Sequence, residues 1–121
     1  MSGMQEPTYL ILTALAARPL HGYGIVQSVT DLSDGEVKLR PGTLYGALDR
    51  LDQQGLIAVD REEPVDGRLR RYYRLSETGA AALAEQVERL SRRAAAGAEQ
   101  LRLRPAAGAE LRLRPAAGGA A

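Results

Sequence analysis

The sequence lacks the residue types on which several classes of function depend. Its 121 residues contain no cysteine and a single histidine, His21. Thiolate nucleophiles, disulfide frameworks and cysteine-containing zinc sites are therefore excluded, and one histidine cannot hold a metal ion by itself. No apolar run approaches the roughly 18 residues of a membrane span, and the N-terminus lacks the basic segment and apolar core of a secretion signal. We predict a soluble, cytoplasmic protein without a metal or other cofactor, and not an enzyme.

Phenylalanine, tryptophan and lysine are also absent or rare. The five tyrosines all lie between Tyr9 and Tyr73, and arginine occurs 15 times against one lysine, Lys38. The 16 basic and 15 acidic side chains give a formal net charge of +1. Bulk charge therefore does not indicate a polyanionic partner, and any such partner must be inferred from clusters of charge.

A duplication marks the C-terminal part of the chain. Residues 101–108 (LRLRPAAG) recur without change as residues 111–118. Each copy contains a proline and a glycine and offers no apolar helical face, so we predict a disordered tail over residues 101–121. The alternative is an arm whose four arginines touch DNA phosphates.

Apolar spacing before this tail predicts three short helices and a hairpin. Leu44, Leu48 and Leu51 share one face of the third helix. An Asp66-Gly67 turn separates two strands with alternating apolar residues. His21 is expected to cap or pack in the turn before the second helix. The predicted helices cover residues 7–17, 22–32 and 41–55, and the predicted strands cover residues 56–61 and 69–75.

A long helix is predicted after Ser76, which is a favourable N-cap residue. Its apolar residues are spaced three and four apart, the heptad rhythm of a seam that packs against another helix. We interpret residues 76–100 as a dimerisation helix, and the alternative is a helix that packs on its own domain. The seam consists of Ala80, Leu83, Val87, Leu90 and Ala94.

This order of elements predicts a mainly α fold with a small β-hairpin, a winged helix-turn-helix over residues 1–75. In such a fold the third helix enters the DNA major groove, which is about 12 Å wide. Gly46 and Ala47 would let the helix sit deep, and Thr43 and Arg50 would reach phosphates or base edges. Asp49 and Asp52 fit an ordinary surface helix better, because carboxylates repel phosphates.

The hairpin supplies clustered positive charge. Strand alternation places Arg68, Arg70 and Arg74 on one face and Arg71 on the other. Such a strand can lie along a phosphate backbone and position the protein without reading sequence. Acidic residues near the tip argue against deep insertion into the minor groove; they are Glu62, Glu63 and Asp66.

Four segments in register resemble the PadR family of bacterial transcriptional regulators. They are residues 21–25 (HGYGI), 41–51 (PGTLYGALDRL), 55–57 (GLI) and 70–79 (RRYYRLSETG). The resemblance covers roughly residues 7 to 90. It implies a homodimeric repressor that dimerises through a single C-terminal helix, with help from the first helix, and binds DNA through the third helix and the hairpin.

Two sets of site residues follow from the pattern and the resemblance together. The predicted contacts to double-stranded DNA are Tyr23, Arg40, Thr43, Tyr45, Gly46, Ala47, Arg50, Arg68, Arg70 and Arg71. The predicted homodimer contacts are Leu10, Leu83, Val87, Leu90 and Ala94.

Two questions stay open at this level. The near-zero net charge and the acidic residues of the third helix are compatible with a winged-helix module that binds proteins and not DNA. A small-molecule effector is also possible, although stacking of a flat aromatic drug between tryptophans is not expected in a chain without tryptophan.

Overall fold

The computed structural model describes residues 4–106. Its mainly α layout, with a small hairpin followed by one long helix, confirms the predicted fold class. The elements are α1 (Glu6–Ala17), β1 (Leu20–His21), α2 (Gly22–Leu32), α3 (Pro41–Gln53), β2 (Ile57–Val65), β3 (Arg68–Leu75) and α4 (Glu77–Leu103).

The three strands form one antiparallel sheet in the order β1-β3-β2. The two-residue strand β1 was not predicted, and it pairs Leu20 with Tyr73 and His21 with Tyr72. Strand β2 is also longer than predicted and includes Pro64. Proline is tolerated there because β2 is an edge strand, where a missing N–H does not break an interior ladder.

The hairpin β2–β3, called the wing below, contains one irregularity in its pairing. The register shifts between Val59 and Arg61, so Asp60 is an extra residue on β2. Beyond this bulge, Arg61 lies opposite Tyr72, and Glu62 lies opposite Arg71. The shift therefore decides which charged side chains of the two strands are neighbours.

Aliphatic side chains from α1, α2 and α3 form the core beneath these elements. Proline stands in the first turn of α1 and of α3, where its fixed φ suits a helix start. Each large apolar side chain in the core contributes about 1.5–3 kcal/mol relative to an exposed one. The most deeply buried are Ile11, Leu12, Ile25, Val29, Leu44, Leu48, Leu51 and Ile57.

The start of α4 is fixed to the chain that leaves α3. The hydroxyl of Ser76 accepts a hydrogen bond from the Gly79 amide at 2.9 Å and donates one to the Gly55 carbonyl at 2.6 Å. This confirms Ser76 as the N-cap. A Cβ on Gly79 would overlap the carbonyl oxygen of Leu56, so only glycine permits this close approach.

The chain divides into two compact units, one ending at Glu88 and one beginning at Arg89. In the first unit, Leu83 is buried and Val87 is exposed. In the second unit, α4 continues to Leu103, past the end expected at residue 100, and Leu90 and Ala94 are exposed. The helix stops shortly before Pro105, consistent with the restriction that proline places on its predecessor. Residues 107–121, including the second repeat copy, lie outside the described residues, so the tail remains a prediction.

Candidate nucleic-acid interface

A polar cavity of about 860 Å³ is bounded by α3, the start of α2 and the wing. These elements are distant in sequence and are brought together because the buried face of α3 packs against the core that also holds Tyr73 of β3. The lining residues are His21, Gly22, Tyr23, Tyr45, Asp49, Glu62, Val65, Asp66, Arg68, Leu69, Arg70, Arg71 and Tyr73.

Two tyrosines present their phenols at this cavity. Tyr23 is 66% exposed, and its hydroxyl accepts a hydrogen bond of 2.7 Å from the side-chain amide of Gln27. Tyr45 is 50% exposed, and its hydroxyl lies over the start of α2. A Cβ on Gly22 would be 2.5 Å from that hydroxyl oxygen, so glycine leaves the space that the Tyr45 ring occupies.

The three wing arginines at the cavity differ in their partners. The Nε of Arg71 donates to the Glu62 carboxylate at 2.9 Å, and this hydrogen bond raises the pKa of Arg71. Within residues 4–106, no carboxylate lies at ion-pair distance from Arg68 or Arg70. Arg68 and Arg70 can therefore contact an anionic ligand without breaking an internal ion pair. Arg70 does lie opposite Glu63, whose pKa is lowered mainly by the hydrogen bond from Arg61 and to a smaller extent by the charge of Arg70.

The other arginines of the wing are held by neighbouring acids. Arg61 contacts Asp60 at 3.0 Å and Glu63 at 2.8 Å, and its guanidinium lies 3.9 Å from the centre of the Tyr72 ring. The hydrogen bond from Arg61 lowers the pKa of Glu63, which keeps that carboxylate charged. Arg74 approaches the same Asp60 at 4.0 Å. The acidic residues of the wing thus neutralise part of its positive charge.

His21 joins the start of α2 to the wing. Its ring meets the ring of Tyr72 edge-on with centroids 5.3 Å apart. Burial, and secondarily the charge of Arg70, hold the pKa of His21 below its ordinary value. The side chain makes no capping hydrogen bond, so of the two predicted roles it packs and does not cap.

The predicted residues of α3 do not share one environment. Thr43, Gly46 and Arg50 are exposed, as is Arg40 at the N-cap of the helix, but none of these four lines the cavity. Ala47 is only 7% exposed and belongs to the core. Its prediction on the outward face was wrong, because position 47 lies three residues after Leu44 and therefore on the buried side.

Asp49 is a cavity residue that sequence reasoning did not include in the site. It was noted only as an objection to DNA binding, yet it lies beside Tyr45 in the cavity lining. Its spacing from Gly42 and Gly46 is the signal that could have placed it, since these positions follow one another along the outward side of α3.

Residues 4–106 contain neither a metal-binding cluster of side chains nor a membrane-spanning helix. No group of three or more histidine, aspartate or glutamate side chains is arranged there to hold a metal ion. Of the helices in this range, none combines the length and the apolar character needed to cross a membrane.

Comparison with known proteins identifies the family. Residues 11–85, more than half of the chain, match the model of the transcriptional regulator PadR-like family. The chain belongs to the PadR-like family. A transcriptional regulator of Mycobacterium tuberculosis, Rv3488, is 43% identical over 75 residues, which are 62% of this chain and 66% of that protein. The chain thus matches slightly less than two thirds of the length of this relative.

Solved PadR structures share the fold. A PadR-like transcription factor of Bacteroides fragilis superposes with a TM-score of 0.62 at 26% identity, over 78% of this chain and 87% of that chain. PadR of Bacillus subtilis, solved in complex with operator DNA, has a TM-score of 0.62 at 21% identity, over 69% of this chain and 47% of that one. At that identity the second likeness shows the fold alone.

Proposed function

We propose that this PadR-like regulator is a homodimeric, sequence-specific DNA-binding repressor that acts in the cytoplasm. One observation carries the proposal: α3 and the wing border a polar cavity in which Arg68 and Arg70 form no ion pair with a carboxylate of residues 4–106. Two exposed tyrosines line the same cavity. Unpaired arginines beside hydroxyl groups are the donors that phosphate oxygens accept.

The two elements take different parts in this proposal. The outward side of α3 enters the major groove, where Arg50 and Thr43 reach base edges or phosphates and Gly46 permits close approach. Arg68, Arg70, Arg71 and the two cavity tyrosines hold the phosphate backbone. Arg40, at the N-terminus of α3, adds a further cation beside the positive end of the helix dipole.

Dimerisation through α4 completes the proposed function. Of the predicted homodimer contacts, Leu10 and Leu83 are buried in the protomer's own core. The surface offered to a partner protomer consists of Val87, Leu90 and Ala94, the first two being 44% and 40% exposed. Two α3 helices related by a two-fold axis would bind an inverted repeat with half-sites about one helical turn apart.

The operator complex of Bacillus subtilis PadR supports DNA as the partner by analogy of fold. A small-molecule effector of unknown identity would act most simply by changing the angle between the protomers, and with it the spacing of the two α3 helices.

Fluorescence anisotropy with DNA from upstream of the protein's own gene tests the proposal. A scrambled duplex of equal length and composition is the control, at two salt concentrations. We expect a preference of at least about 10³-fold for the upstream duplex. Equal affinity for both duplexes would contradict sequence-specific binding to this DNA. Absence of binding at low salt, with the dimer intact, would favour the protein-interaction module, for which the internal ion pairs of the wing are the supporting observation.

A further inference from the structure

The outward side of α3 carries a carboxylate, Asp49, on the edge that faces the cavity. Gly42, Gly46, Asp49 and Gln53 follow one another at spacings of four, three and four residues, which places them opposite the buried leucines. Asp49 lies on the flank of this stripe that lines the cavity, together with Tyr45. Within residues 4–106, no cation lies at ion-pair distance from Asp49.

A carboxylate in this position is unfavourable toward phosphates but favourable toward particular base edges. An ionised carboxylate only accepts hydrogen bonds. In the major groove, cytosine presents its N4 amino group as a donor, whereas guanine presents two acceptors. Adenine presents a donor beside the N7 acceptor, and this acceptor repels a carboxylate. Cytosine is therefore the base whose exposed edge best matches Asp49.

The neighbours of Asp49 allow the close approach that its short side chain requires. Gly42 and Gly46 precede it on the same side of the helix, and a Cβ at either position would meet nothing within 4 Å. Neither glycine therefore places a side chain between the carboxylate and a base edge. The exposed neighbour on the preceding turn is Tyr45, whose hydroxyl lies over Gly22 of α2. Asp52 differs, because it is exposed on the same helix but does not line the cavity.

We infer that Asp49 is a specificity-determining residue that accepts a hydrogen bond from the N4 amino group of one cytosine in each half-site. The inference rests on the proposed DNA-binding function and adds to it a named base contact. Asp49 was first interpreted as an argument against DNA binding, because carboxylates repel phosphates. Under this inference the same carboxylate lowers the general affinity for DNA but increases the preference for particular sequences.

Selection from a pool of random duplexes, followed by sequencing, tests the inference without knowledge of the operator. The selection is run with wild type, with Asp49→Asn and with the control Asp52→Asn. Each variant removes one negative charge from α3, so the two variants have the same net charge. Asparagine pairs with the N6 and N7 groups of adenine. We therefore expect Asp49→Asn to change one position of each half-site from cytosine to adenine. Asp52→Asn should select the wild-type sequence.

The outcomes separate this inference from the proposed function. Enrichment of the same bases by wild type and Asp49→Asn would overturn the role of Asp49 and leave sequence-specific binding intact. A wild-type protein that enriches no sequence would overturn both. A changed position in both variants would assign the effect to net charge and would also overturn the inference.

An atomic substitution in the DNA gives a second, independent measurement. The selected cytosine is replaced by a pyrimidinone nucleotide that lacks the 4-amino group. Wild type should lose roughly tenfold in affinity, as expected for one hydrogen bond to a charged acceptor. Asp49→Ala should bind both duplexes equally, and circular dichroism checks that it is folded. An equal loss in wild type and Asp49→Ala would contradict the contact.

Discussion

The outward side of α3 and the wing differ in how they carry charge. Along its outward side α3 has two glycines, Gln53 and the unpaired Asp49, with Arg50 beside them. The wing concentrates five arginines on two strands and offsets three of them with Asp60, Glu62 and Glu63. Under the proposed DNA-binding function, the wing would supply most of the general attraction to phosphates, and α3 would carry the groups suited to distinguishing bases.

The ion pairs of the wing limit its attraction without abolishing it. All of them are at least partly exposed, and exposed pairs of this kind contribute about 0–1 kcal/mol. Phosphates can therefore compete with Glu62 for Arg71, while Arg68 and Arg70 need no such exchange. The wing thus contains both arginines that form ion pairs and arginines that do not, whereas a single arginine, Arg50, lies beside the outward stripe of α3.

The largest effect is expected from disrupting the proposed dimer, because each protomer then brings only one α3 and one wing to the operator. Leu90→Asp places a charge in the proposed dimer seam, at a side chain that is 40% exposed in the protomer. We expect a monomer in analytical ultracentrifugation and a fall of roughly 100-fold in operator affinity, since each chain then binds one half-site. Leu32→Asp is the matched control on α2, 48% exposed and outside the seam. A dimeric Leu90→Asp with full affinity would show that α4 is not the interface.

A smaller effect is expected from disturbing α3 alone. Gly22→Ala puts a methyl group where the Tyr45 hydroxyl lies, so the Tyr45 ring must move. Gly24→Ala is the control, because its Cβ would meet only ordinary contacts at 3.4 Å and beyond. We expect similar thermal stability for the two variants but a loss of about three- to tenfold in DNA affinity for Gly22→Ala, equivalent to one hydrogen bond. Equal affinities would remove Tyr45 from the interface.

An increase in DNA affinity is expected when the wing loses the carboxylate of Glu62, which competes with phosphates for Arg71. Glu62→Gln removes the carboxylate that pairs with Arg71 at 2.9 Å. Affinity for any duplex should rise about two- to fivefold, the equivalent of one exposed ion pair. The difference should shrink in high salt. Glu63→Gln removes a carboxylate that pairs with Arg61 and lies opposite Arg70, so equal rises in the two variants would mean that affinity follows the lost negative charge and not the release of Arg71.

The smallest expected effect concerns His21, which lines the cavity between α3 and the wing, and the fall in the free energy of unfolding at acid pH. The folded protein holds the pKa of His21 below 6.5 through burial and then the charge of Arg70. The unfolded chain consequently binds the proton more readily, and the free energy of unfolding falls as the pH drops below that value. Urea denaturation at pH 7.5 and pH 5 should show a larger fall for wild type than for His21→Gln. Identical falls would mean that His21 does not contribute.

Much of this fold could be predicted from local pattern. The bounds of α2 were predicted correctly, and those of α1 differ by one residue, because apolar spacing and proline signals lie within each helix. Strand β1 was missed since two residues carry no alternation. The bulge at Asp60 was missed because the partner strand decides it, and with it the partners of the wing arginines.

The site was less accessible to sequence than the fold. Ala47 was expected on the outward face of α3 but is buried, whereas Asp49 was expected on the surface and is exposed, but its place in the cavity lining was missed. The contact of Tyr45 with Gly22 joins two helices, so no local spacing predicts it. The cavity depends on such long-range placement, whereas the clustered arginines were visible as a run of charge.

The most direct test of the proposed division between α3 and the wing compares Arg50→Ala with Arg70→Ala. Each is titrated against the preferred duplex and a scrambled one across a range of salt concentrations. Arg70→Ala should weaken binding to both duplexes equally, and the slope of log affinity against log salt should become about 0.9 less steep. Arg50→Ala should in addition reduce the ratio of the two affinities. An unchanged ratio in Arg50→Ala, or a reduced ratio in Arg70→Ala, would contradict the division.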